Sequence, residues 1–424
     1  MKTPIDLNNK TILVTGSPGF IGANLVLRLL SDLTSGTVVS FDNMNDYYDP
    51  QLKEYRLGLI NNAAKTSSVK HVFIKGDISD KTLVDNVFRD YQPDIVVNLA
   101  AQAGVRYSIE HPEKYIESNI VGFYNVLEAC RHSYDLASSQ SCQPSPSSLP
   151  SKDSSGQRKQ NGQSGQSGQT EKGSADDSSD SVPVDNQNSW KDETSEKQDN
   201  VYAGVQHLVY ASSSSVYGGN KKVPFATEDP VDHPVSLYAA TKKSNELLAH
   251  AYSKLYNIPS TGLRFFTVYG PAGRLDMFYF SATNKLARGE KIQIFNYGDM
   301  KRDFTYIDDI VEGIIRVMQG APEKKTGEDG LPIPPYAVYN IGGGTPENLL
   351  DYISTLQEEL VRAKVLPEDY DFEGHRELVG MQAGDVPITY ADSTGLEEDY
   401  GFTPKIGIRE GLRAFAEWYK EYYG

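Results

Sequence analysis

The sequence predicts an α/β protein with a doubly wound parallel sheet and a smaller C-terminal α/β domain. Short runs rich in Val, Ile and Phe alternate with helical patterns, and such alternation is typical of βαβ units with helices on both faces of a sheet. The apolar runs are TILVTG, TVVSFD, HVFIKGD, DIVVNLA, HLVYASS and TGLRFF, and the helical patterns include FIGANLVLRLL, KTLVDNVFRDY and EKYIESNIVGFYNVLEAC. A chain of 424 residues is long enough for two domains. We place the sheet in residues 1–265, close to the end of the last apolar run, and the smaller domain in residues 266–424.

One segment interrupts this alternation. From about residue 138 to residue 200 the chain consists largely of Ser, Gln, Gly, Asp and Lys, with almost no apolar residues. Such a composition buries too little apolar surface to offset the entropy of ordering, so we interpret the segment as a disordered insertion in the first domain. A passive surface loop is the simpler interpretation of its role, and a tether for a partner is the alternative.

The overall composition argues against several classes of function. A net charge of -16 disfavours nucleic acid or an anionic membrane as a partner. The two cysteines, Cys130 and Cys142, form no CxxC pair and no His/Cys cluster at zinc spacing, so we expect neither a disulfide framework nor a metal site. Since no apolar run has the length of a signal peptide or a membrane span, we expect a soluble cytoplasmic protein.

The turn between the first strand and the first helix predicts a dinucleotide site. Gly16, Gly19 and Gly22 form a GxxGxxG pattern, which suits a tight turn, the close approach of a pyrophosphate and close helix–strand packing. This is the Rossmann-type arrangement. The next strand ends at Asp42, whose carboxylate can accept from a ribose diol and would repel a 2′-phosphate, which favours NAD over NADP. Asp77 follows the third strand and is expected at the adenine end of the cofactor.

A tyrosine and a lysine on one later helix are candidates for proton transfer. Tyr238 and Lys242 stand in SLYAATKKSNELLAHAY at YxxxK spacing, so their side chains share one helix face. An ammonium near a phenol stabilises the phenolate, so we expect the pKa of Tyr238 to lie below about 10. Such a tyrosine can exchange a proton with a sugar hydroxyl, and a purely structural hydrogen bond is the alternative.

Seven motifs together carry a resemblance to a known family. The motifs GSPGFIG, NLAAQAGVRYS, YASSSSVYG, YAATK, LRFFTVYGP, KRDFTYIDD and MQAGDVPITYAD resemble the extended short-chain dehydrogenase/reductase family, specifically its nucleotide-sugar 4-epimerases and most closely those acting on UDP-glucuronate. The resemblance covers nearly the whole chain apart from the insertion. It implies an NAD-dependent isomerase that interconverts UDP-glucuronate and UDP-galacturonate through a 4-keto sugar without net redox change. It also implies a homodimer.

The resemblance sorts the four serines of YASSSSVYG. It gives Ser213 a hydrogen bond to the sugar C4 oxygen and a proton shared with Tyr238, and it places Ser212 near the nicotinamide. Related dehydratases carry Asp and Glu at the positions of Ser214 and Ser215, and UDP-glucuronate decarboxylases carry Glu at the second of these. This chain has only hydroxyls at both positions, so elimination and decarboxylation lack their acid/base group.

The resemblance also assigns the sugar nucleotide to residues of the C-terminal domain. It implies Arg302 for the diphosphate and Asp385 for the uridine ribose. For the substrate carboxylate Arg274 is the first choice and Arg106 the second, because a guanidinium binds a carboxylate through two hydrogen bonds, and a surface ion pair is the alternative. Leu275 departs from the proline usual in this branch. The substrate-binding set is Ser213, Thr267, Arg274, Arg302, Asp385 and Arg106.

The cofactor set combines the glycine turn with the ends of later strands. It comprises Gly16, Gly19, Phe20, Ile21, Gly22, Asp42, Asn43, Asp77, Ile78, Leu99, Ala100, Ala101, Tyr238, Lys242 and Phe265. The catalytic set is Ser213, Tyr238 and Lys242. Two other functions stay open: a 4-epimerase of a neutral UDP-hexose such as UDP-glucose, and a non-catalytic NAD-binding sensor. An intact catalytic set argues against the sensor.

Overall fold

A seven-stranded parallel sheet lies at the centre of the computed structural model, which describes residues 2–47, 49–141, 202–381 and 386–424. The strands are β1 (Lys2–Pro4), β2 (Thr11–Thr15), β3 (Thr37–Asp42), β4 (Lys70–Lys75), β5 (Ile95–Asn98), β6 (His207–Ser213), β7 (Ser260–Phe265), β8 (Thr267–Tyr269), β9 (Ile292–Ile294), β10 (Lys301–Tyr306), β11 (Gly320–Pro322), β12 (Lys325–Thr326), β13 (Pro332–Ile333), β14 (Tyr336–Ile341), β15 (Pro346–Asn348) and β16 (Arg376–Leu378). The central sheet has the order β14-β7-β6-β5-β2-β3-β4, and every neighbouring pair is parallel. The predicted doubly wound α/β fold is confirmed.

Twelve α-helices accompany these strands in the described residues. They are α1 (Phe20–Asp32), α2 (Pro50–Ala64), α3 (Lys81–Tyr91), α4 (Tyr107–Glu110), α5 (Pro112–Tyr115), α6 (Phe123–Ser141), α7 (Leu237–Tyr256), α8 (Phe278–Ala287), α9 (Ile307–Met318), α10 (Leu349–Arg362), α11 (Thr394–Tyr400) and α12 (Ile408–Tyr423). A π-helical stretch, Ile116–Gly122, joins α5 to α6 and interrupts the helix expected there. Because α6 runs to Ser141, the helix continues past the predicted start of the insertion; the rest of the insertion lies outside the described residues. No helix in the described ranges is long and apolar enough to cross a membrane.

The central strands are apolar because both of their faces are covered. The residues of β5 are all buried, as are four of the five residues of β2. Burial on both faces favours continuous runs of Val, Ile and Leu, which explains the runs ILV and IVV. The strand order changes direction between β2 and β5, and ligands of such sheets bind beyond the carboxyl ends of the strands at this point.

The C-terminal part of the chain forms a smaller three-stranded sheet and also returns to the central one. Strand β10 pairs in parallel with β8 and in antiparallel with β15, whereas β14 adds a seventh strand beside β7. The sequence did not predict β14, whose run YAVYNI pairs with β7 although about 70 residues separate the two strands. The domain boundary at residues 265 and 266 stays a prediction.

Candidate active site

The turn between β2 and α1 leaves no room for side chains at its glycines. Gly16 has a φ of +71°, and a Cβ there would lie 2.8 Å from the backbone nitrogen of Ala100. A Cβ on Gly22 would come within 2.2 Å of the Gly16 carbonyl oxygen, so α1 packs directly on the turn. Gly19 caps α1 and donates its N–H to Gly16 O at 2.9 Å. This backbone turn at a helix N-terminus fits a pyrophosphate.

The carboxylate at the end of β3 is held by its neighbours. Asp42 is 8% exposed, and its Oδ1 accepts from the N–H of Met44 at 2.7 Å and from Lys53 Nζ at 3.3 Å. Lys53 also donates to Asn45 Oδ1 at 2.8 Å. Lys53 was not among the residues predicted from the sequence, and its cation lies beside the carboxylate expected to bind the cofactor ribose.

Asn43 and Asp77 are joined directly, which ties together the ends of β3 and β4. The Asn43 Nδ2 donates to Asp77 Oδ2 at 2.7 Å, and the N–H of Ser79 donates to Asp77 Oδ1 at 2.8 Å. Burial alone would raise the pKa of Asp77, but the hydrogen bonds from Asn43 and Ser79 hold that pKa below its usual value. The carboxylate is therefore ionised at neutral pH and oriented by both donors.

A cavity of about 830 Å³ runs along the carboxyl ends of the strands. Every site residue predicted from the sequence lies on its wall, except Asp385, which is outside the described residues. The predicted residues on the wall are Gly16, Gly19, Phe20, Ile21, Gly22, Asp42, Asn43, Asp77, Ile78, Leu99, Ala100, Ala101, Arg106, Ser213, Tyr238, Lys242, Phe265, Thr267, Arg274 and Arg302. Their individual roles stay predictions, but the structure brings them to one place.

Adjacent serines at the end of β6 have different partners. The Oγ of Ser213 accepts from the N–H of Ser215 at 3.1 Å and caps the short 3₁₀ helix Ser214–Tyr217. The Oγ of Ser212 donates instead to Glu246 Oε1 on α7 at 2.7 Å. Both serines line the cavity, and the hydroxyl of Ser212 is in addition bonded to a buried carboxylate.

Helix α7 presents both members of the YxxxK pair to the cavity. Lys242 is 3% exposed and donates from Nζ to the carbonyl of Ala211 on β6 at 2.9 Å, and burial lowers the pKa of this lysine to about 8. Burial raises the pKa of Tyr238, opposed by Arg274 and by a hydrogen bond with Ser213. The predicted lowering of the Tyr238 pKa is therefore wrong for the chain without ligands. Burial outweighs the opposing effects of Arg274 and Ser213, and Lys242 donates to β6 and not to the phenol.

The two arginines considered for a carboxylate have partners within the chain. Arg274 donates from Nε to Asp276 Oδ1 at 3.0 Å and from Nη2 to Asp276 Oδ2 at 2.6 Å. The guanidinium of Arg106 lies over the ring of Phe295, 5.3 Å from its centroid. Arg302 donates to the carbonyl of Pro387 at 3.3 Å. An ion pair at Arg274 is therefore present, and it lies on the cavity wall.

Several residues on the cavity wall were missed by the sequence argument. Among them are Lys53, Arg56 and Asp276. Tyr115 packs against the edge of the Tyr238 ring at a centroid distance of 6.1 Å. The motif QLKEYR could have indicated Lys53 and Arg56. They are three residues apart and therefore share one face of α2, the helix that follows the strand ending at Asp42.

Comparison with known proteins places this site in a family. A family model described as the NAD dependent epimerase/dehydratase family matches residues 197–342, and one described as GDP-mannose 4,6 dehydratase matches residues 13–148. Protein CapI of Staphylococcus aureus is 40% identical over 418 residues, which cover 97% of this chain and 99% of that protein. The chain belongs to the NAD-dependent epimerase/dehydratase family. The resemblance seen in the motifs is confirmed.

Relatives within the epimerase/dehydratase family share a substrate in their names. The probable UDP-glucuronate 4-epimerase of Rhizobium meliloti (strain 1021) is 34% identical, with 97% of each chain covered. The crystal structure of the UDP-glucuronic acid 4-epimerase of Bacillus cereus, in complex with UDP-glucuronic acid and NAD, matches with a TM-score of 0.68 at 26% identity. That match covers 97% of this chain and 100% of the other.

Proposed function

We propose that this chain is an NAD-dependent epimerase that interconverts UDP-glucuronate and UDP-galacturonate by inverting C4 through a 4-keto sugar. One observation carries the proposal. Ser213, Tyr238, Lys242 and Arg274 line the same cavity as the glycine turn, so a proton-transfer group, a cofactor turn and a cation for a carboxylate meet at one site. The names of the relatives point to the same substrate.

The residues present fit NAD. The glycine turn leads into the N-terminus of α1, whose backbone donors suit a pyrophosphate, and the turn depends on glycine because a Cβ at Gly16 or Gly19 would collide with backbone atoms. Asp42, fixed by Lys53, is suited to accept from the ribose hydroxyls, and Asp77 is suited to the adenine end. When bound there, NAD would supply reversible hydride transfer at the sugar C4.

Proton transfer is assigned to the hydroxyls at the end of β6 and the start of α7. Tyr238 takes the proton of the sugar C4 hydroxyl and later gives it back, with Ser213 holding the same oxygen. Because burial raises the pKa of Tyr238, the phenol is protonated in the absence of ligands, and it must release that proton to solvent before it can take the one from the sugar. Arg274 and Ser213 both act in the opposite direction, so we assign them to stabilising the phenolate during turnover.

The C-terminal part of the chain is proposed to hold the sugar nucleotide. Arg302 on β10 is assigned to the diphosphate and Asp385 to the uridine ribose. Arg274 is assigned to the hexuronate carboxylate, which would displace the Asp276 carboxylate from the Nε and Nη2 atoms.

Incubation of the purified protein with UDP-glucuronate, followed by separation of the sugar nucleotides, tests the proposal. We expect a near-even mixture of UDP-glucuronate and UDP-galacturonate, because the two stereoisomers have similar stability. UDP-glucose serves as the neutral control and should react far more slowly. Release of carbon dioxide with a UDP-pentose, or turnover of UDP-glucose alone, would contradict the proposal, and an absence of turnover with NAD bound would favour a sensor.

We expect the protein to purify with NAD(H) bound and to need no added cofactor, because the cycle restores NAD⁺ at each turn. Denaturing the protein and assaying the supernatant for NAD⁺ and NADH measures the bound fraction. Strict dependence of a folded, cofactor-free preparation on NADP⁺ would contradict the role given to Asp42.

We also propose that the chain forms a homodimer through α6 and α7. These helices are in contact, since Tyr252 on α7 donates to Glu128 on α6 at 2.6 Å. Between them they expose apolar side chains, among which Leu247 is 60% and Leu255 is 70% exposed. Two antiparallel copies of this face would cover both leucines. Light scattering should give a dimer for the wild type and a monomer for Leu247→Asp; a monomeric wild type would exclude the assignment.

A further inference from the structure

The loop that carries Arg274 is held in an unfavourable backbone conformation. This loop, residues 270–274, connects β8 to the segment before α8. Ala272 lies within it at a φ of +48°, in the left-handed region that residues with a Cβ rarely adopt, and its side chain is only 7% exposed. A conformation of this kind persists only where the surroundings fix it.

A buried arginine from another part of the chain fixes this loop. Arg56 on α2 is 5% exposed, and its Nε and Nη2 donate to the carbonyl of Ala272 at 2.9 and 2.6 Å. The same Nη2 donates to the carbonyl of Gly273 at 2.7 Å, and Nη1 donates to the carbonyl of Pro18 at 3.2 Å. Pro18 belongs to the glycine turn. One guanidinium therefore connects the cofactor turn to the two residues that precede Arg274.

A second buried side chain holds the same loop from the other end. The hydroxyl of Tyr279 donates to the carbonyl of Gly270 at 3.1 Å, and Tyr279 is 1% exposed. A Cβ on Gly273 would fall 1.7 Å from that hydroxyl oxygen, so the loop and the tyrosine are in close contact. These two anchors hold the backbone from which the Arg274 side chain extends, and Asp276 holds its guanidinium.

We propose that Arg56 is a positioning residue that fixes the 270–274 loop against the glycine turn and thereby aims Arg274 at the carboxylate of a hexuronate. This inference rests on the function proposed above. A guanidinium suits the task because its rigid planar fork of donors reaches three separate carbonyl oxygens at once, whereas the donors of a lysine ammonium all lie on one atom. The loss of Arg56 should therefore weaken recognition of the carboxylate more than recognition of the nucleotide.

The test compares Arg56→Lys with wild type, using NAD-saturated protein and equilibrium binding of UDP-glucuronate, UDP-glucose and UDP. We expect the preference for UDP-glucuronate over UDP-glucose to fall about tenfold, the effect of losing one strong charge-assisted contact. The affinity for UDP should change by less than about twofold. In turnover, KM for UDP-glucuronate should rise more than kcat falls, whereas a general loss of folded protein would lower all three affinities alike.

Two further variants keep the test decisive. Arg316→Lys is the matched control, because Arg316 also donates to two carbonyls, Tyr400 O at 3.2 Å and Gly401 O at 2.7 Å, but does not line the cavity. It should leave the preference unchanged. Tyr279→Phe removes the other anchor while keeping the ring, and should lower the preference about threefold even if Arg56→Lys does not fold.

The outcomes separate the two proposals. A wild-type preference in both Arg56→Lys and Tyr279→Phe, in a protein that epimerises UDP-glucuronate, would overturn the positioning role. A wild type that binds UDP-glucuronate no better than UDP-glucose and does not turn it over would overturn the proposed function instead.

Discussion

Replacing Tyr238 with phenylalanine is expected to lower kcat by roughly 10²–10⁴, the usual effect of removing a positioned proton-transfer group. The affinity for UDP should hardly change, because the ring stays in place beside Tyr115. Steady-state kinetics with UDP-glucuronate and equilibrium binding of UDP measure the two quantities. A Tyr238→Phe enzyme with nearly wild-type kcat would show that the proton leaves through another group.

The serines at the end of β6 provide matched controls for the Tyr238→Phe substitution. Ser213→Ala should approach the effect of the tyrosine substitution, because this hydroxyl is expected to hold the sugar C4 oxygen. Ser214→Ala and Ser215→Ala should cost far less, since only the backbone N–H of Ser215 contributes to the cap described above. If Ser215→Ala matched Ser213→Ala, the assignment at the end of β6 would be wrong.

Replacing Glu246 with glutamine is expected to lower the free energy of unfolding by about 3–5 kcal/mol, because it leaves a buried cation without its partner. Glu246 and Arg264 are each 3% exposed and meet through two hydrogen bonds of 2.8 and 2.9 Å. Ser212 donates to the same carboxylate. Urea unfolding of the NAD-saturated protein measures the loss.

A surface pair supplies the control for this measurement. Lys81 and Asp85 form an exposed i,i+4 ion pair on α3, and Asp85→Asn should change the free energy of unfolding by less than about 0.5 kcal/mol. A Glu246→Gln protein no less stable than this control would contradict the role of the buried pair.

Burial would raise the pKa of Glu246, but Arg264 holds that pKa below its usual value. Its contribution is therefore complete above the unfolded pKa of about 4.3 and is lost as pH falls through the folded pKa.

The sequence predicts the local parts of this molecule well. All six apolar runs that it marks as strands are present in the central sheet, because short runs rich in Val, Ile and Phe are typical of strands buried on both faces. The glycine turn and the YxxxK pair are also local patterns, so their places on the cavity wall could be predicted.

The sequence does not predict contacts between residues far apart along the chain, nor how deeply a side chain is buried. In the sequence Arg56 is simply a polar residue of a predicted helix. Its partner Ala272 is 216 residues away, so no local pattern indicates their hydrogen bond. The rise in the pKa of Tyr238 could not be predicted, because spacing identifies Lys242 as a neighbour on the helix but says nothing about how far the phenol is from water. Asp276 was overlooked for a similar reason, since its proximity to Arg274 in sequence does not reveal that the two side chains pair.

The pairing of β14 with β7 has a consequence for dividing the chain. Six residue pairs join these strands, and Asn340 on β14 accepts from Tyr217 at 2.6 Å and donates to the carbonyl of Phe225 at 2.7 Å. A fragment ending at residue 265 would lose these bonds and leave β7 as an uncovered edge strand, a template for association with other chains. A fragment of residues 1–265 would therefore be prone to aggregate. During synthesis on the ribosome, β7 stays an exposed edge strand until β14 has also been made.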